Sequence, residues 1–252
     1  MNPIEIRDFS KKYRLGLENL MRSVQAVKSI SFMVPEGALY GFVGPNGAGK
    51  STTIKTLMGL LRPSSGSVKL MGLDPRDPAS RRQVGFQPEQ PWFYDYLTGL
   101  ELLQYYGRLA GLSGRKLSDR IEQSCALCKV EPGWLSRRLR TYSKGMSQRM
   151  GLAQAILHEP RLLILDEPMS GLDPMGRRDV REAMKALHAR GTTIFYSSHV
   201  LSDVEEICTH AAMLVRGTIR VEGTLDALLS ADGDPGHRGK LEDILAREVE
   251  LA

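Results

Sequence analysis

Gly44-Pro45-Asn46-Gly47-Ala48-Gly49-Lys50-Ser51-Thr52 follows the pattern of a phosphate-binding loop, G-x-x-x-x-G-K-[ST], at every specified position. The residues before it, 38–43, read as a short buried strand, and residues 51–61 place Ile54, Leu57, Met58 and Leu61 at helical spacing. A glycine-rich turn between a strand and a helix is the context that gives this pattern its physical meaning. Glycine lets successive backbone N–H groups curl toward one point, and the helix N-terminus adds its partial positive charge, so the loop favours the β- and γ-phosphates of a nucleoside triphosphate. Lys50 supplies a full charge, and the Ser51 hydroxyl is placed to ligate a Mg²⁺ bridging the same phosphates. A chance match in a chain of this length is expected on the order of 1% of the time.

Upstream of the loop, residues 4–9 alternate apolar and polar as a half-buried strand does, and residues 29–34 alternate again before the turn Pro35-Glu36-Gly37. They read as antiparallel strands leading into the loop. Between them, Lys11-Lys12-Tyr13-Arg14 opens a polar connection through Asn19 and Ser23. Tyr13 can stack on an adenine ring, or serve as an ordinary amphipathic Tyr at a strand end. Downstream, residues 62–67 form a turn cluster and 68–72 a short strand, after which the pattern becomes helical from Leu97 to about Leu139, punctuated by Gly111, Gly114 and Pro132. This reads as a helical insertion between two halves of an α/β core. The core resumes at Arg161-Leu162-Leu163-Ile164-Leu165-Asp166-Glu167, whose four consecutive apolar residues predict a strand buried on both faces with its carboxyl end at a site. A helix over 177–189, a second buried strand over 192–196 with His199 just beyond it, and two short strands around Arg216-Gly217 complete the core.

Alternating strands and helices imply a parallel sheet with right-handed crossovers. The fold class predicted is therefore α/β: a P-loop nucleotide-triphosphatase core with a mostly parallel sheet, an N-terminal antiparallel β subdomain and an inserted helical subdomain. The expected division is 1–86 and 161–222 for the core, 87–160 for the helical subdomain and 223–252 for a tail, in which a polar Gly/Pro stretch at 231–236 precedes a short helix over 240–249.

Composition bounds the function classes. With 252 residues, 42% hydrophobic and 25% charged, the chain resembles an ordinary globular protein with one sizeable core. No apolar run approaches the roughly 18 to 20 residues needed to span a bilayer, and residues 1–5 lack the apolar core of a signal peptide, so a cytoplasmic location is expected. Three cysteines argue against a disulfide framework. Cys125-Ala126-Leu127-Cys128 has C-x-x-C spacing without a second Cys or His pair at a zinc-finger distance, and reads as structural cysteines on a helix. The net charge of +5 is concentrated at 101–150, which carries ten Lys and Arg against four Asp and Glu. Such a face could meet nucleic acid, anionic lipid or nucleotide phosphates, or be an ordinary solvated helical surface.

Asp166 and Glu167 end a strand expected beside the loop strand, so Asp166 can hold Mg²⁺ through water while Glu167 orients or deprotonates the attacking water. Five segments then fall in one order: 44–52, Tyr142-Ser143-Lys144-Gly145-Met146-Ser147-Gln148-Arg149, 162–168, Ser170-Gly171-Leu172-Asp173, and His199. Together they resemble an ATP-binding-cassette ATPase over essentially residues 1–222. The resemblance implies ATP and Mg²⁺ as ligands and two cassettes paired head to tail. Ser143 and Gly145, with Lys144 and Met146 in the same signature, would face the γ-phosphate held by the other copy. It also implies that Asp173 signals between sites, that His199 holds the γ-phosphate and positions Glu167, and that Tyr13 stacks on adenine.

Two departures stand out. Lys144 and Met146 replace the first glycine and the glutamine of the family's usual signature. Where a glutamine contacting Mg²⁺ is expected, alignment on Val84-Gly85-Phe86 gives Glu89, while Gln87 lies two residues earlier, leaving either to act. These variants, with the run Trp92-Phe93-Tyr94-Asp95-Tyr96 and the terminal Leu241-Glu242-Asp243-Ile244, resemble cassettes of two-chain export systems. The resemblance implies an ATPase subunit on the cytoplasmic face of a membrane, driving a separate transmembrane permease, with no direct nucleic-acid partner. Trp92, Phe93 and Tyr94 would then form part of the groove that receives a permease helix, or a buried hinge beneath the helical insertion. The competing class is a soluble cassette ATPase acting on ribosomes or nucleic acid.

Overall fold

The structure is a computed structural model and describes residues 1–15, 22–230 and 239–251. Its elements are β1 (Ile4–Leu15), β2 (Arg22–Val34), β3 (Leu39–Val43), α1 (Lys50–Leu57), β4 (Ser65–Leu70), β5 (Val84–Gln87), α2 (Gly99–Leu109), α3 (Gly114–Leu127) and α4 (Pro132–Leu135). They continue with α5 (Lys144–Ala155), β6 (Leu162–Leu165), α6 (Pro174–Ala189), β7 (Thr193–Ser198), α7 (Leu201–Ile207), β8 (His210–Val215), β9 (Thr218–Thr224), α8 (Leu225–Ser230) and α9 (Leu241–Glu250). This is the expected α/β architecture, with an antiparallel sheet near the N-terminus, parallel pairs in the core and a run of helices between them.

The chain divides into two compact units, Met1–Arg81 with Phe195–Ala252, and Arg82–Ile194. Residues 161–194 thus group with the helical segment rather than with the loop, because β6 pairs with β5 in parallel, Gln87 opposite Leu165.

In the first unit β1 lies between β2 and β4 and is antiparallel to both, with Ile6 opposite Phe32 and Ile4 opposite Leu70. Residues 11–14, read from sequence as a connection, instead extend β1, and Ser23 lies in β2, so Tyr13 faces Val24 across the ladder. Asn19 lies outside the described residues. β4 also starts inside the expected turn cluster, Ser65 pairing with Ser10. β3 is buried along its whole length and runs parallel to β8, as a strand covered on both faces does, and β8 returns through Arg216 and Gly217 into antiparallel β9. Phe32, Phe42 and Phe195 form the centre of this unit, with ring centroids 5.3 to 6.0 Å apart. Such pairs add about 0.5–1.5 kcal/mol each beyond their burial, and they fasten β2 and β7 to the strand that enters the phosphate loop.

In the second unit α2 starts at a capping box, Thr98 accepting from the Glu101 N–H while the Glu101 carboxylate accepts from the Thr98 N–H. α3 buries Leu117, Ile121, Ser124 and Cys125 on one face. Cys125 and Cys128 are free and buried, and burial pushes the Cys125 thiol up to about 11 and Cys128 higher still, which keeps both protonated. No helix among the described residues is long and apolar enough to cross a membrane. The Gly/Pro stretch at 231–236 lies outside the described residues; beyond it α9 matches the expected tail helix.

Candidate functional site

The phosphate loop is built by close backbone approach. A Cβ at Gly44 would lie 2.1 Å from the Leu214 carbonyl oxygen, and one at Gly49, where φ is +111°, 2.6 Å from that of Ala26. Any side chain at either position would collide with backbone, whereas Gly47, at φ +79°, faces open space. The Gly44 N–H donates to the Ser198 carbonyl at 3.3 Å and the Ala48 N–H to the Pro45 carbonyl at 3.2 Å, fixing the curve of the loop. Lys50 is buried, and its Nζ donates to the carbonyls of Gly44 at 2.7 Å and Pro45 at 3.3 Å, so the ammonium is folded back along the loop. Ser51 and Thr52 follow in the first turn of α1, whose N-cap Gly49 makes no side-chain cap. The helix ends at Leu57, short of the expected Leu61, because Gly59 adopts φ +73° and its Cβ position abuts the Pro75 carbonyl.

Two further predicted residues stand in this unit. The Tyr13 hydroxyl is 3.3 Å from Thr52 Oγ1, which brings the proposed adenine-stacking ring beside the end of the loop. His199 directly follows β7, and the carbonyl of its neighbour Ser198 is the acceptor for Gly44. That hydrogen bond ties the residue preceding His199 to the first residue of the phosphate loop.

In the second unit, β6 delivers Asp166 and Glu167 at its carboxyl end, 4% and 8% exposed. Glu167 sits at φ +49°, a left-handed conformation that a non-glycine side chain adopts at a cost of about 1–3 kcal/mol, as functional residues often do. The Asp166 N–H donates to the Gln87 carbonyl at 2.9 Å. Gln87 is 1% exposed, its Nε2 donates to the Gln148 carbonyl at 3.1 Å, and its Oε1 is buried with no hydrogen-bond partner. Glu89, by contrast, is exposed, and its backbone carbonyl accepts from Gln148 Nε2 at 2.6 Å. Gln148 is thus a structural centre that the sequence reading quoted only as part of a motif. The available signal was a glutamine three and four residues before Gly151 and Leu152, on the same side of α5 as these two buried residues.

Ser143 is the N-cap of α5 and accepts from the Met146 N–H at 3.2 Å, and Asp173 is the N-cap of α6 and accepts from the Gly176 N–H at 2.7 Å. The two caps belong to one packed block. Lys144 lies across Gly171, the Cβ position at Gly145 is 3.6 Å from a Leu172 methyl, and Arg149 pairs with Asp179 at 2.8 Å. Trp92 is 86% exposed and Tyr96 65%, so the aromatic run is no buried hinge, although Phe93 is half-buried.

A phosphate loop between β3 and α1 and, further along the chain, a buried strand ending in two carboxylates are features of the P-loop nucleotide-triphosphatase fold. The family model described as ABC transporter matches residues 27–170. An ABC transporter ATP-binding protein of Synechocystis is 42% identical over 232 residues, 92% of this chain and 65% of that protein, so the chain spans about two thirds of that relative's length. The bacitracin transport ATP-binding protein BcrA of Enterococcus faecalis is 39% identical over 86% of this chain and 71% of its own. A solved ATP-binding subunit of an ABC transporter superimposes with a TM-score of 0.83 at 33% identity, covering 98% of this chain and 99% of that one. A dimeric cassette bound to ADP and Pi shares the fold, with a TM-score of 0.80 at 22% identity over 88% and 98% of the two chains. The chain belongs to the ABC transporter family.

Proposed function

We propose that this chain is the ATP-binding and ATP-hydrolysing subunit of a membrane exporter, working as a pair of cassettes that drive a separate permease from the cytoplasmic face. The observation that carries the reading is the phosphate loop: Gly44 and Gly49 stand where no side chain fits, and Lys50 is buried along the loop carbonyls. That arrangement suits an anion held by backbone N–H groups and one ammonium. In this reading residues 44–52 hold the phosphates and Tyr13 stacks on adenine. Glu167 takes a proton from the attacking water, and its left-handed backbone fixes the direction of the carboxylate. His199 holds the γ-phosphate. Ser143 and Gly145, with Lys144 and Met146 beside them, meet the nucleotide of the second cassette, and Asp173 relays between the two sites.

The chemistry of magnesium matches oxygen donors within each unit, the Ser51 hydroxyl in the first and, in the second, the Asp166 carboxylate and the unpartnered Oε1 of Gln87, all ligand types that such a hard cation takes. Bound there, it would neutralise phosphate charge during transfer. Gln87 is preferred over Glu89 because it is the buried residue with an unsatisfied acceptor. A transport role is favoured by the relatives named for bacitracin transport.

Glu167→Gln tests the reading. The variant is expected to bind ATP normally, to lose about a hundred-fold or more in steady-state hydrolysis, and to elute as a dimer in ATP. Near-normal turnover would refute the assignment of Glu167.

A further inference from the structure

The C-terminal helix, to which the family motifs give no part, is packed on the element that follows His199. α7 begins two residues after His199 and has only seven residues, too few to hold a helical position by itself. Its placement comes from its neighbours. Val204 is fully buried, and a Cβ at Gly41 of β3 would lie 2.7 Å from its Cγ1 and 3.1 Å from Cys208 Sγ, so only glycine lets α7 come this close to the strand that enters the phosphate loop. The same helix also bears the tail. The Glu205 carboxylate accepts from the Leu241 N–H at 2.5 Å, capping α9, which has no side-chain cap of its own. Leu241 is fully buried and Ile244 nearly so, and their spacing of three puts both on one face of α9, which packs on α7. The entry to α9 is pinned as well: the Gly239 N–H donates to the Leu229 carbonyl at 3.0 Å, the Leu225 N–H to Thr209 at 2.9 Å, and the Thr209 N–H to Leu39 of β3 at 2.8 Å.

We infer that α9 is a brace for His199: Glu205 and Leu241 are positioning residues that fix α7, and through it the imidazole, against the strand that ends in the phosphate loop. The inference rests on the reading of His199 as the γ-phosphate contact.

The test measures ATP hydrolysis by the full chain, well below its thermal midpoint, for Leu241→Asp, Glu205→Ala, Glu205→Gln and His199→Ala. Leu241→Asp and Glu205→Ala are expected to lower kcat about five-fold while KM for ATP changes less than about two-fold, the mark of a misplaced reacting group rather than of weakened binding. Glu205→Gln keeps an acceptor oxygen for the Leu241 N–H and is expected to retain the rate. In a His199→Ala background, followed by single turnover with excess enzyme, the Leu241→Asp change adds no further loss, because both act through one group. An equal loss in that background, or an unchanged kcat in Leu241→Asp, overturns the brace. If Leu241→Asp does not fold, Glu205→Ala carries the same comparison. Unaltered turnover in His199→Ala would instead overturn the role of His199, and the brace with it.

Discussion

Gln87 Nε2 donates to the Gln148 carbonyl at 3.1 Å, and Gln148 Nε2 donates in turn to the Glu89 carbonyl at 2.6 Å. Both glutamines are 1% exposed. The helix capped by Ser143, α5, is therefore tied, by buried hydrogen bonds, to the segment that leaves β5. Packing reinforces the tie, since a Cβ at Gly151 would lie 2.9 Å from the Pro91 ring.

Removing the side-chain amide of Gln148 strands the polar groups that face it. Gln148→Leu is expected to cost about 1–3 kcal/mol, the penalty for leaving buried donors and acceptors unpaired. Urea denaturation measures it. A loss below a few tenths of a kcal/mol would mean that water replaces the amide and that the two segments are not joined through it.

The loop glycines lead to a second expectation. Gly49→Ala combines a strained φ of +111° with a Cβ 2.6 Å from the Ala26 carbonyl, and that nearest partner is backbone that cannot rotate away. A combined destabilisation of about 2–4 kcal/mol follows from overpacking and left-handed strain together. Gly47→Ala, at φ +79° with open space around it, should retain the packing and suffer the strain alone. The ordering of the two thermal midpoints, Gly49→Ala lower, checks the argument.

These particulars mark what the sequence could and could not convey. The phosphate loop and the strand over 162–165 were legible because their signals are local: a fixed glycine spacing, and four apolar residues in a row. β1 beyond Phe9 was not, because Lys11 and Lys12 pair in a two-stranded ribbon whose polar residues carry no alternation. The end of α1 escaped because the stop is a glycine whose carbonyl neighbour comes from Pro75. Gln87 and Gln148 escaped because the burial of a glutamine depends on a partner 61 residues away. The docking of α9 escaped for the same reason, its acceptor Glu205 lying 36 residues before Leu241. Residue types disclosed the chemistry, whereas long-range packing decided which of two glutamine-like positions is buried.

The aromatic run supplies the last expectation. Trp92 at 86% exposure and Tyr96 at 65% give away apolar area that burial would make favourable, and Tyr94 lies against Tyr96 and Tyr105 at centroid distances of 5.8 and 6.3 Å, so these three tyrosines form one cluster next to Trp92 in the chain. An exposed aromatic cluster is the composition that protein interfaces favour at their centres. If a permease helix covers it, Trp92→Ala with Phe93→Ala should abolish copurification with the permease, since aromatic anchors commonly carry 2 or more kcal/mol of binding, about a thirty-fold loss each. Nucleotide binding should be unchanged, because neither ring belongs to the phosphate loop. Retained copurification would place the permease contact elsewhere on the chain, and a parallel loss of ATP binding would mean that the rings support the fold rather than a partner.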